Sequence, residues 1–417
     1  MIKPAGSKLR VGLNNSIIKI FRILRQEFLF KLNFWTIPAF LIGLFIFIPM
    51  AEVLSSLTAY SSNWTHLKDT VLFSYLSNSL ILIIGTAFFS LIFGVSSAWI
   101  VSNYTFRFRK ILEWLLVLPL AIPTYISAYA YFDILELFNP LLIWIRTNIG
   151  FEIMQLVNNS LVYLVTILVM ASVLYPYIYL LARASFIRQG KQLSDAARTL
   201  GHNSKSIFWK IALPMARPAI VAGMSLVIME TLNDYGAVKH FGVPTFTSGI
   251  FRTWLGMGDL TGALRLSGIL MLLIFSLLIF EKKLRSRSKY HEILNSKPSS
   301  EKKLLNKNKS IIAICCCSIP LVLGFFIPVS RMISWAWISR NSASDLDGIE
   351  LIGNSLGLAT ITSLTIVAIA TFLVFSARYY KSAITYFSNR LAILGYSIPG
   401  AVIAIGILLF VAQVNHL

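Results

Sequence analysis

Apolar residues run in blocks along this chain, separated by shorter polar or basic stretches. The blocks fall at about 34–54, 74–101, 111–135, 161–182, 216–237, 262–280, 311–333, 354–377 and 391–412. A helix needs roughly twenty apolar residues to cross a bilayer, so each block predicts a membrane span. The fold class that follows is an all-α polytopic membrane protein. The first block is too long for a signal-peptide core and has no clear small-x-small cleavage site, so it reads as an uncleaved span.

Composition supports this reading. With 56% hydrophobic and 13% charged residues among 417, the chain is too apolar for a soluble domain. Its net charge of +20 raises the question of an anionic partner. The basic residues sit between the apolar blocks and are not interleaved with aromatics, which argues against nucleic acid. Lys and Arg collect in the cytoplasmic loops of membrane proteins. With the N-terminus inside, segments 1–34, 102–110, 183–217, 281–310 and 377–390 are cytoplasmic and hold 30 of the 37 Lys and Arg. The expected placement is therefore multi-pass in a membrane, with a cytoplasmic N-terminus and membrane lipid as the surrounding partner.

The chain also repeats. Asn78-Ser79-Leu80 recurs as Asn354-Ser355-Leu356, Tyr104 as Tyr380, and Leu118…Ile122-Pro123 as Leu394…Ile398-Pro399, always 276 positions on. An even number of spans per repeat gives two halves in the same orientation, unlike inverted-repeat transporters. The expected organisation is a basic N-terminal segment (1–34), a six-span half (35–280), a cytoplasmic linker (281–310) and a second half (311–417) with about three spans. The same offset places a counterpart of residue 195 near position 471, so the sequence reads as C-terminally truncated.

Between the fourth and fifth blocks lies a polar, basic island, SDAARTLGHNSKSIFWKIALPMARP, from Ser194 to Pro218. Ala196, Ala197 and Leu200 favour helix, and Gly201 can end it in a left-handed conformation. Ser204 or Ser206 is placed to cap a second short helix, with Ile207, Phe208 and Ile211 on one face and Pro214 as its end. Asp195-Ala196-Ala197, Gly201, then Ile211-x-Leu213-Pro214 resembles the E-A-A-x3-G-x9-I-x-L-P coupling loop of ABC importer permeases, with Asp for Glu at the first position. The resemblance implies the type I permease fold, built from two parallel six-helix repeats with the second incomplete here, and a coupling loop over 190–217. It also implies that Asp195, Ala196, Ala197, Leu200, Gly201, Ile211, Leu213 and Pro214 engage two copies of a cytoplasmic ABC ATPase. Asp195 would accept hydrogen bonds from that partner, and Leu200, Ile211 and Leu213 would fill its apolar groove.

The stretch from Met229 to Ile250, with Glu230, Asp234-Tyr235-Gly236 and Phe241-Gly242-Val243…Thr245-Phe246-Thr247…Gly249-Ile250, resembles the ferric-iron branch of these permeases, and Trp254 to Asp259 continues the match. This implies a periplasmic ferric-ion-binding protein as second partner. Glu230 and Asp234 are four apart, on one face of the fifth span near its outer end. Ionised acids in a bilayer are costly, so both should face protein or a water-filled path. They either line a translocation path together with Tyr235, as oxygen donors suited to a hard cation, or pair with Arg265, Lys239 or backbone groups to hold the bundle.

No G-x-x-x-x-G-K-[ST] loop occurs, so the chain is not read as an enzyme. ATP and Mg2+ belong to the partner, and no cofactor is assigned to this chain. The five His are scattered, and adjacent Cys315, Cys316 and Cys317 read as small residues of a membrane helix, so no stable metal site is expected. Pro119 and Pro123, with Pro399 at the repeat position, permit kinks that serve either gating or static packing. The linker lysines and arginines either touch anionic headgroups or only set topology. Other cargoes for such a permease are thiamine, polyamines or another small solute. A secondary transporter or channel is the reading from a different class.

Overall fold

The computed structural model describes residues 33–189, 197, 199–286, 302–339, 348–380, 382–395 and 398–415. Among these, seven helices are long and apolar enough to cross a membrane: Thr36–Thr58, Leu72–Asn103, Phe151–Arg188, Ser204–Asn233, Leu260–Lys283, Lys307–Ser339 and Gly348–Tyr379. The block expected as one span at 111–135, with prolines that permit kinks, is two arms, Arg109–Ala121 and Thr124–Glu136, meeting at 91°. Pro123 lacks an N–H and disfavours helix at Ile122 before it, and Ile122 is extended here, with ψ 118°. The block at 391–412 is likewise divided, into Ala383–Gly395 and Gly400–Asn415.

We label the helices used below α1 (Thr36–Ser55), α2 (Leu72–Asn103), α3 (Arg109–Leu115), α4 (Thr124–Glu136), α5 (Phe151–Arg188), α6 (Leu213–Asn233), α7 (Gly236–His240), α8 (Phe246–Phe251), α9 (Leu260–Ser286), α10 (Lys307–Leu321), α11 (Gly348–Tyr379), α12 (Ala383–Gly395) and α13 (Gly400–Asn415). Two short strands, β1 (Tyr104–Thr105) and β2 (Lys303–Leu304), pair in parallel.

The described chain divides into two compact units. One comprises residues 56–341. Its centre is α5, which packs between α2 and α6. Close approach at Ile178 explains why. A Cβ added to Gly94 of α2 would lie 2.8 Å from Ile178 Cβ, and one added to Gly223 of α6 would lie 2.8 Å from Ile178 Cα. Without those side chains both helices come down onto α5 at the same level. Tyr175 and Tyr179 are fully buried, and their hydroxyls donate to the carbonyls of Leu116 (2.9 Å) and Glu113 (3.0 Å). These bonds satisfy buried backbone acceptors of the broken arm, which would otherwise be costly. Helix α10 also packs on α2 and α5 in this unit, with Cys317 buried and Cys315 and Cys316 exposed.

The other unit comprises residues 1–55 and 342–417. Here α1 packs against α12, α13 and α11. The packing units therefore cut across the sequence halves: the first span sits with the later helices, and Lys307–Ser339 sits with the first half. The repeat itself has a structural counterpart, because α2 and α11 are both 32 residues long and begin 276 positions apart.

Candidate functional site

The turn around Gly201 forms as its sequence dictates. Gly201 has φ +84°, and the His202 N–H donates to the Ala197 carbonyl at 3.0 Å. That six-to-one bond across a left-handed residue is a Schellman helix end, with Ala197 buried and Leu200 79% exposed. Asp195 and Ala196 lie outside the described residues.

The second arm differs from expectation in two ways. Its cap is Asn203 rather than Ser204 or Ser206: the Asn203 side-chain oxygen accepts from the Ser206 N–H at 2.8 Å, and Asn203 is extended with ψ 165°. Ser206 is instead 3.0 Å from His202 Nδ1. Nor does Pro214 end the helix. A helical turn at Ser204–Ile207 runs through a π turn at Phe208–Ala212 into α6, where Pro214 occupies the first turn. The wider π turn lies just ahead of Pro214, where the proline ring would crowd an ordinary turn. The Gln189 side chain donates to the Ala212 carbonyl at 3.0 Å, and Phe208 and Phe186 both lie against Trp99, at 5.0 and 5.2 Å. Ile211, Leu213 and Pro214 are half-buried.

The other end of the same helix carries the second candidate cluster. Asp234 closes α6: its N–H donates to the Glu230 carbonyl at 3.1 Å, one turn back, and the chain leaves the helix beyond it, with Asp234 at φ −68° and ψ 122°. Asp234 is a junction. Its Oδ2 accepts from the Thr124 hydroxyl, its Oδ1 accepts from the Ala237 N–H at 2.8 Å, and its carbonyl accepts from the Thr247 hydroxyl at 2.7 Å. One residue thus ties the end of α6 to the first residue beyond the 91° break, to the start of α7 and to α8. Tyr235 lies against Phe251, with centroids 4.1 Å apart and the Lys239 ammonium 5.2 Å from its ring. Arg265 does not reach Asp234; it lies over Trp64 at 4.0 Å. Glu230 is half-buried.

The segment that follows is pinned from α2. Asn78 donates to the Pro244 carbonyl at 2.9 Å, and Ser79 accepts from the Phe246 N–H. Thr245 and Ser248 complete a reciprocal cap of α8. Asn78 and Ser79, visible in the sequence as part of the repeat, therefore hold the Thr245-Phe246-Thr247 turn. Thr124 escaped the sequence reading, its only signal being a hydroxyl residue following Pro123; Thr247 was visible there as part of the Thr-Phe-Thr run, but not as a partner of Asp234.

One continuous helix, Ser204–Asn233, connects the two clusters. At 1.5 Å per residue it separates them by roughly 45 Å, about the thickness of a bilayer with its interfaces. Among the described residues no three His, Cys, Asp or Glu side chains are grouped to hold a metal ion.

Residues 90–287 match the family described as binding-protein-dependent transport system inner membrane component. A Fe(3+)-transport system permease protein, FbpB 2, of Haemophilus influenzae is 27% identical over 343 residues, covering 80% of this chain and 63% of that protein. The chain thus spans a little under two thirds of that relative's length. The sulfate transport system permease protein CysT of Escherichia coli is 26% identical over 197 residues, 47% of this chain and 69% of that protein. The molybdate/tungstate transport system permease protein WtpB of Pyrococcus abyssi is 25% identical over 174 residues, 41% of this chain and 61% of that protein.

Proposed function

We propose that this chain, whose residues 90–287 belong to the inner-membrane-component family of binding-protein-dependent transport systems, moves ferric iron from periplasm to cytoplasm. The fold is the type I permease fold of ABC importers, and the chain is a multi-pass membrane component, not itself an enzyme. In this reading the N-terminus is cytoplasmic, two copies of an ATPase hydrolyse Mg-ATP, and a periplasmic ferric-ion-binding protein delivers the cargo. The two sequence halves, 35–280 and 311–417, act as parallel repeats joined by the linker.

One observation carries the reading: the Gly201 turn and the Asp234 junction are the two ends of a single helix. The ATPase groove grips the turn through Asp195, Ala196, Ala197, Leu200 and Gly201, with Ile211, Leu213 and Pro214 at the root of the lever. Closure of the ATPase dimer on ATP tilts this helix. Its far end then pulls on Asp234, and through Thr124 on the broken arm, turning the path outward to receive the ion. Hydrolysis returns it inward. Glu230, Asp234 and Tyr235 line that path in this reading, and carboxylate and phenol oxygens suit a hard trivalent cation.

Oxyanion cargo is the second reading, favoured by the matches to permeases named for sulfate and molybdate. A carboxylate at the junction repels a dianion, which favours iron. The deciding experiment is ATP-dependent uptake of radioactive ferric iron, sulfate and molybdate into vesicles holding the full gene product, its ATPase and its binding protein. Uptake of iron alone supports the proposal, and uptake of an oxyanion alone replaces it.

A further inference from the structure

At the opposite end of the bundle from Asp234, three cations from three elements converge. Arg109 of α3 is 3.1 Å from Glu113, and Arg183 of α5 is paired with the other oxygen of the same carboxylate. Arg109 and Lys302, just ahead of β2, each donate to the Val101 carbonyl at 3.0 Å. Their nitrogens are therefore within 6.0 Å of one another, twice that distance. The Val101 carbonyl is one of the unsatisfied acceptors at the C-terminus of α2, a place that attracts cations. Even so, among the described residues one carboxylate and a helix end face three full positive charges. The group is only partly open to solvent: the side chains of Arg109, Glu113 and Arg183 are 16%, 18% and 28% exposed. The Arg183 Nε is buried and has no hydrogen-bond partner among the described residues.

The surroundings say what kind of anion fits. Phe108, Ile111, Trp114 and Leu304 are all more than half exposed beside the cluster. Exposed apolar and aromatic side chains next to cations are what a bilayer surface covers, with rings and chains in lipid and cations at the headgroups. The pairing of β1 with β2 and the Leu305 N–H bond to the Thr105 carbonyl (3.2 Å) hold Lys302 in place. The distribution of Lys and Arg along the chain puts this face in the cytoplasmic leaflet. We propose that Arg109, Arg183 and Lys302 form a binding site for a phosphate-bearing anion, the headgroup of an anionic phospholipid.

This inference rests on the membrane placement of the helices and not on the cargo or the ATPase. Its test is native mass spectrometry of the purified full chain in detergent, titrated with phosphatidylglycerol, phosphatidylcholine or inorganic phosphate. Phosphatidylglycerol should bind and phosphatidylcholine should not. Lys302→Gln and Arg183→Gln should each weaken phosphatidylglycerol binding about fivefold, the factor that about 1 kcal/mol per cation near a lipid surface corresponds to. Lys302→Arg should restore it, which separates lost charge from a misfolded variant. Equal binding of the two lipids, or unchanged binding by both glutamine variants, overturns the site. Displacement of the lipid by phosphate at matched concentration overturns the lipid assignment in favour of a soluble phosphate compound.

Discussion

The Thr124 hydroxyl donates to the Asp234 carboxylate across 110 positions of sequence, joining the first residue after the 91° break to the first residue after α6. The bond ties the second arm of the break to the end of α6. Asp234→Asn keeps an oxygen for the Ala237 N–H, and its amide nitrogen, standing where Oδ2 accepts from Thr124, can donate to the Thr124 oxygen instead, but the charge is removed. Membrane yield should stay near wild type while ATP-dependent iron uptake falls at least tenfold. Thr124→Val should instead lower the thermal midpoint, since a lost hydrogen bond to a charged group is worth about 1.5–3 kcal/mol. Normal uptake per molecule with Asp234→Asn would assign the carboxylate to holding the bundle alone.

Gly201 occupies φ +84° with nothing within 4 Å of the place a Cβ would take, so the penalty for a side chain there comes from the backbone alone. Gly201→Val meets the cost of a left-handed L-residue, about 1–2 kcal/mol or more for a branched one. Gly201→Asn, which tolerates that conformation, should behave nearly as wild type. In vesicles the valine variant should leave partner ATP hydrolysis running while uptake drops. Equal uptake by both variants would remove the turn from coupling.

Asn203 rather than the serines caps the second arm. Asn203→Ala should cost about 1 kcal/mol of local helix stability, seen as faster amide exchange over residues 204–210, whereas Ser204→Ala should leave exchange unchanged.

A Cβ at Gly223 would lie 2.8 Å from Ile178 Cα and 3.0 Å from the Tyr177 carbonyl. These are backbone atoms that cannot rotate away. Gly223→Val should therefore lower stability by about 1–3 kcal/mol, the usual cost of overpacking, measured as a fall in thermal midpoint in detergent.

Much of this was legible in the sequence, because membrane spans and left-handed glycines are written locally. The apolar blocks marked the long helices, and Gly201 announced its own conformation. Prolines were the weak signal. Pro123 was readable as a kink, but its right-angle break depends on what packs there, and Pro214 sits inside a helix because a π turn makes room. The role of Asp234 was hidden for a related reason: a four-residue spacing sets it one turn beyond Glu230 but does not say that the helix ends there, where Thr124, Ala237 and Thr247 offer it other hydrogen bonds. Partners separated by 110 positions leave no mark in local periodicity. The packing units were hidden in the same way, since nothing in residues 36–55 states that they pack on α12 and α13.

Lys302 supplies a test in pH. Its partial burial, and then the charges of Arg109 and Arg183, lower it to about 8 from the ordinary lysine value of 10.5. Among the described residues Glu113 is the one carboxylate paired in this group, and both of its oxygens are engaged by the arginines. A depressed lysine is charged at a cost below pH 8. Between about 8 and 10.5 the unfolded chain binds the additional proton, so stability gains from this residue as pH rises through that window. The thermal midpoint of the wild type should therefore rise relative to Lys302→Met from pH 7.5 to 10, with the difference flat below 7.5. Loss of the same proton should weaken the binding of phosphatidylglycerol over that range, and Lys302→Arg, which stays charged, should bind it independently of pH. A midpoint difference that does not change across the window would mean that Lys302 is not held beside the two arginines as the Val101 carbonyl contact implies.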